Sequence, residues 1–270
     1  ITTSIGLAGG AGTFNLDASE LANITDGFAS ITIGSSTQTG NITANAQTFT
    51  DPVSFIQDTS GGGSVTSAGH IQNTGGGISL TSGTAGISLG DSLTTTSGDI
   101  DINGAVTLSG GLTITTNTSG NLDFSSTVDG GQDLALAVAG TTTFNGSVGS
   151  TTDVGDGTGA SIAITSTGTT SFESTVEGAS GITQAGAAGA LTFKDNVTLT
   201  DGNTATNMAG AVTLDGLNWS GYDGLTIGVL TLSTGAVDLN SNGGNIQTAA
   251  ITGGSQNLSL NSGATGSILV

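Results

Sequence analysis

The chain has 270 residues, of which 48 are glycine, one is proline and none is cysteine, and its 20 Asp plus Glu face a single basic residue, Lys194, for a formal charge of −19. Phosphate neutralisation needs Lys and Arg, so nucleic acid is not expected as a partner, and an electrostatic hold on anionic lipid fails for the same reason. No run of about 18 apolar residues suggests a membrane-spanning helix, no three-residue glycine period suggests collagen, and positive mean hydropathy argues for a core against the disorder that Gly, Ser and Thr enrichment otherwise signals.

The chain starts at Ile1 without a methionine, basic region or apolar signal stretch, from which we expect a piece of a longer or processed polypeptide. The opening ITTSIGLAGGAGTFNL reads as strand, turn, strand. Residues 17–24, DASELANI, are the one place where a helical turn competes, with Asp17 as N-cap and Glu20 at capping-box spacing; the alternative is a coil corner. From Ile31 onward short strands follow one another: Ile31-Thr32-Ile33, Asn41-Ile42-Thr43, Thr48-Phe49-Thr50 and Val53-Ser54-Phe55, each with apolar residues two apart and hence on one face. Pro52 would remove a ladder hydrogen bond, so residues 50–52 are expected to be a corner.

Phenylalanine followed four residues later by valine recurs at Phe49/Val53, Phe124/Val128, Phe144/Val148, Phe172/Val176 and Phe193/Val197, using five of the eight phenylalanines. The three residues between are turn formers throughout. Ile102 and Val106 form a degenerate copy. From Phe124 the copies are spaced by 20, 28 and 21 residues, a period that signals a solenoid with one turn per repeat. Residues 149–160 read as an insertion, and 200–210 as another. The strands are short and Asn-Gly hairpin turns are scarce. A pair of immunoglobulin-like sandwiches is the rival, but it calls for a larger aromatic core. The expected fold is all-β, one continuous parallel β-solenoid (β-helix) over residues 1–270 with about 20 to 22 residues per coil and about twelve coils. One coil buries too little to stand alone, so neighbours must share the core.

Units such as GAVTLSGGLTITTNTSGNLDFSSTV and TGAVDLNSNGGNIQTAAITGG carry a resemblance, over nearly the whole chain, to the β-helical repeat regions of large bacterial surface adhesins, the filamentous haemagglutinin and autotransporter-passenger type. The resemblance implies a secreted, right-handed β-helix acting as stalk, filament or adhesive surface at the cell exterior. It carries over no functional residue.

Site-like strings are few. Asp99, Asp101 and Asn103 match the first half of an EF-hand calcium loop, but Gly110 stands where the bidentate Glu belongs. Asp153 and Asp156 read as an acidic solvated loop. Glu173 and Glu177 invite comparison with a glycosidase pair, yet such a pair needs one desolvated, protonated carboxyl. His70 has no second imidazole or cysteine to work with, and Lys194 is expected at the surface. Trp219 and Tyr222 form either a glycan contact or, for the Trp, a core plug. The seven Asn-x-Ser/Thr sequons need no explanation beyond composition, and no glycosylation is inferred.

The sequence therefore points to a structural or adhesive extracellular rod, not an enzyme and without a cofactor. The alternatives are a carbohydrate- or ice-binding module, which would repeat a Thr-x-Thr lattice on every coil, or a polysaccharide-degrading enzyme. The partners expected are surface glycans and further coil at the ends. No cap is expected at either terminus, so both ends should be continued by the same polypeptide or by identical subunits.

Overall fold

Three short strands and three corners make one turn, and the turns stack into a parallel β-solenoid of about 11 turns with about 22 residues each and almost no helix. The computed structural model describes residues 2–200 and 202–270. In one representative turn, Val106–Leu108 lies on the first face, Leu112–Thr116 on the second and Leu122–Phe124 on the third, before the chain returns to the first face at Val128–Asp129. Pairing between these turns is parallel, which excludes hairpin-built sandwiches. Leu112 meets Leu134 and Ile114 meets Leu136 on the second face, and Phe124 meets Phe144 on the third.

Because alternate residues point inward, this register makes columns. Val106, Val128, Val148, Val176 and Val197 line the inside of the first face, where Val148 bridges a 7-stranded and a 5-stranded segment into one ladder. Ile102, Phe124, Phe144, Phe172, Phe193 and Leu214 line the third. Phe49 and Val53 do not belong to these columns. Phe49 ends a second-face strand opposite Asn73, and Val53 starts a third-face strand opposite Ile78; the third-face column runs through Phe55 instead, opposite Leu80. Residues 50–52 do form a corner, but between the second and third faces, whereas 125–127 turn from the third to the first.

The corner between the second and third faces explains part of the glycine content. Successive corners stack at about the 4.8 Å strand spacing. A Cβ on Gly98, Gly120, Gly140, Gly168 or Gly189 would stand 1.7 to 2.7 Å from backbone atoms of the corner before it. Carbonyls of this corner are met by buried polar side chains: Asn73 Nδ2 donates to Gly77 O (3.1 Å), Thr95 Oγ1 to Gly98 O (2.8 Å), Thr116 Oγ1 to Gly120 O (2.6 Å) and Gln184 Nε2 to Gly189 O (2.6 Å). These four buried side chains are thereby paired, whereas Asp51 in the 50–52 corner accepts from Gly27 N through Oδ1 (3.1 Å) and leaves its buried Oδ2 without a partner. On the solvent side, Asn41, Asp99, Asn121, Asn196 and Asn245 each accept, through Oδ1, the backbone N–H of a corner one turn later. Towards the C-terminus, Thr206–Leu214, Leu225–Leu232 and Ile246–Thr252 each pass through the corner between the second and third faces as one continuous strand, with a register shift between Met208 and Ala211. The insertion expected over 200–210 is therefore shorter, because 206–210 is strand; Asp201 lies outside the described residues.

The N-terminal end departs from the expectation of two uncapped ends. Ile5–Leu7 takes its place on the first face, the chain loops back, and Phe14–Leu16 pairs parallel on its outer side, Ile5 opposite Phe14. The α-helix Ala18–Leu21 follows. Its capping box is formed: Glu20 N donates to Asp17 Oδ1 (2.8 Å) and Asp17 N to Glu20 Oε2 (2.9 Å). Leu21 is buried beneath it. In the last turn, Leu258 and Leu260 are half-buried, while Ile268 and Leu269 are exposed.

Candidate functional site

The repeat residues build an internal ladder. Phe124, Phe144, Phe172 and Phe193 stack with ring centroids 4.7, 4.7 and 4.9 Å apart and interplanar angles of 12°, 10° and 6°. Trp219 ends the run edge-on to Phe193 at 5.4 Å. It faces inward opposite Val197 and is buried, so it cannot touch a glycan. Tyr222, in the following corner, is exposed.

The calcium string lies along a strand. In Ile100–Asn103 the isoleucines point in and Asp101 and Asn103 point out, so Asp99, Asp101 and Asn103 are spread along one face at about 7 Å steps and do not converge. Asp99 Oδ1 already accepts from Asn121 N (2.7 Å) and Nδ2 (3.1 Å). Burial, with the charges of Asp99 and Asp123 beside it, pushes the Asp101 carboxyl above its ordinary value. Among the described residues, no group of three or more His, Cys, Asp or Glu is arranged to hold a metal ion.

The two insertions brace each other: Thr200 Oγ1 donates to Asp153 Oδ2 (2.7 Å) and Asn203 Nδ2 to Gly157 O (2.8 Å). The Thr158 hydroxyl and N–H hold Asp156 below the usual carboxylate range. Asp133 is raised instead, by burial first. Glu173 is paired with Lys194 at 2.7 Å and accepts from Ser171, which lower its carboxyl. That is opposite to what a general acid requires. Glu177 sits outward on the first face, two residues beyond the bend. His70 Nε2 is 2.9 Å from Thr94 Oγ1.

The grooves are shallow and open. One of about 470 Å³ lies on the second face over Ala135 and Ala163, with Asp133 at its rim. Thr113 and Thr115 lie opposite Ala135 and Ala137 one turn on, so a Thr-x-Thr lattice is not continued there.

The charge distribution was not foreseen from the sequence. Strand positions of the second face carry no Asp, Glu, Lys or Arg among the described residues, while acids occupy the first face (Asp129, Glu177, Asp238), the third (Asp101, Asp123) and the corners. The signal was present as strand segments such as LTITT, LALAV and IAI, which lack ionisable residues.

Fold and surface together define the class, a parallel β-solenoid with a stacked aromatic core and uncharged and acidic faces. No protein family, no curated protein and no solved structure matches the chain.

Proposed function

We propose that the protein is a rod segment of an extracellular bacterial surface protein, with a structural and adhesive role and no catalytic one, continued at its ends by further coil or by other subunits. The observation that supports this is where large apolar side chains meet solvent. Phe14 (52%) and Phe28 (55%) are exposed at one end, and Ile268 (45%), Leu269 (61%) and Val270 (66%) at the other. Between the ends Tyr222 (44%) and Val229 (47%) are also exposed, and the other outward positions are mostly Thr, Ser, Asn, Ala and Asp. Uncovered strand edges favour pairing with another chain.

The two ends are unequal. Phe14–Leu16 adds a rung to the first face alone, which makes a stepped surface and opposes flush head-to-tail stacking of identical subunits. Continuation by the same polypeptide at the C-terminal edge is therefore preferred. In this reading no cofactor is needed, and Tyr222 is an exposed aromatic with a hydroxyl, away from the ends, available to surface glycans. Mass measurement and negative-stain microscopy of native material test it. Particles longer than the ~53 Å that 11 strand spacings give are expected, and shortened particles for Leu269→Asp if subunits associate. A discrete, soluble 25.8 kDa monomer at high concentration refutes it.

A further inference from the structure

We propose that the second face is the surface through which two copies of this chain pair side by side. The argument starts from charge. A chain of formal charge −19 repels its own copy wherever carboxylates would be brought opposite one another. The first and third faces would do so, through Asp129, Glu177 and Asp238 or through Asp101 and Asp123. Outward positions of the second face, for example Thr113, Ala135, Ala163, Thr183, Asn207 and Thr226 in one registered column, are all uncharged.

Relief supplies the second argument. Thr113 and Thr115, with Thr94 opposite Thr115 on the turn before, form a raised ridge, and Ala135 and Ala137 lie beside it on the next turn. A groove of about 470 Å³ lies over Ala135 and Ala163, and a separate one of about 210 Å³ lies over Ala137 and Thr165 towards the corner. A two-fold axis along the strand direction, between these two turns, sets the rods antiparallel and seats the ridge of each in the groove of the other. This is the self-complementary contact that a two-fold dimer requires. The same axis sets Asp133, at the groove rim, against the Gly110–Gly111 corner of the second copy, so its carboxylate meets no carboxylate.

Size supplies the third. Centred there, about 8 turns overlap, a strip of ~38 Å by ~15 Å. That is roughly 1,100 Å² over both copies, just above the ~1,000 Å² a specific interface needs. The pairing is accordingly weak and strengthened by salt, which screens the remaining repulsion.

Sedimentation equilibrium of the purified chain tests this. The mass should rise from 25.8 kDa towards twice that value with concentration, more readily in ~0.5 M salt than at low salt, and particles should double in width over the overlap while lengthening by only the ~14 Å that about three overhanging turns add. Ala135→Glu should raise the dissociation constant at least ~10-fold, whereas Thr66→Glu, which adds the same charge to the first face, should leave it within ~2-fold. Circular dichroism checks folding, and Ala163→Glu on the next turn carries the test if Ala135→Glu misfolds. A monomer at ~1 mM in high salt, equal weakening by both charges, or growth in length without width would each overturn the proposal; the last would leave end association standing.

Discussion

Truncating Phe144 to Ala should cost about 4 to 5 kcal/mol, the upper part of the ~3 to 5 kcal/mol range for a buried Phe→Ala change. Two features place it there. The ring is fully buried and stacked on both sides, 4.7 Å from Phe124 and 4.7 Å from Phe172, so two aromatic contacts of ~0.5 to 1.5 kcal/mol each are lost. The neighbouring rings ride on rungs held about 4.8 Å apart by ladder hydrogen bonds, so the gap cannot close along the axis. Denaturant titration gives the loss by linear extrapolation. A solenoid can unfold in parts, so amide exchange at Thr142–Phe144 should accompany it. Phe49 makes one edge contact, with Phe55 at 6.0 Å, and Phe49→Ala should cost clearly less. A loss below ~1.5 kcal/mol at Phe144, or equal losses at Phe49 and Phe144, would refute the ladder argument.

Asp101→Asn should stabilise the protein at pH 7. The folded-state carboxyl is raised by burial, Asp99 and Asp123, so its ionised form costs stability at neutral pH, and this cost disappears as pH falls through the folded pKa towards the unfolded one. Thermal melts of variant and parent should therefore differ at neutral pH and converge in acid. Asp17→Ala should remove about 0.5 to 2 kcal/mol of cap stability, read as faster amide exchange confined to residues 18–24. Trp219 should emit at short wavelength and resist soluble quenchers, and Trp219→Ala should cost ~3 to 5 kcal/mol in denaturant titration; emission typical of an exposed indole would contradict its inward placement.

Much of this was readable from the residues because phenylalanine is rare here and its spacing to valine is constant. Yet a three-residue gap between two inward residues does not say which corner it spans. Residues 50–52 turn from the second face to the third and 125–127 from the third to the first, so Phe49 looks like a member of a column to which it does not belong. The helical turn was legible because Asp17 and Glu20 satisfy each other locally. Its role as cover was not, since that depends on where Phe14–Leu16 docks. Trp219 could have been placed. Asn196-Val197-Thr198 and Asn218-Trp219-Ser220 share one pattern and one register, so these sequons mark the first face, with the middle residue inward. The outward course of Asp99, Asp101 and Asn103 followed from period two alone. The uncharged second face escaped notice because a face exists only once three strands per turn are assigned.

The strict register has a consequence for how such a rod can change length. Deleting residues 125–144 would join Phe124 to Asn145, the residue that already follows a column phenylalanine. Val106 would then meet Val148, Leu112–Thr116 would lie under Ile162–Ile164, Phe124 would stack on Phe172, and Gly120 would stand next to Gly168. Every column loses one member and none is broken, so the particle should shorten by ~4.8 Å and still fold. Removing a few residues instead would misalign all three faces at once. Length in this molecule is quantised, like the notches of a ruler, and recombination between neighbouring rungs is the change it tolerates best.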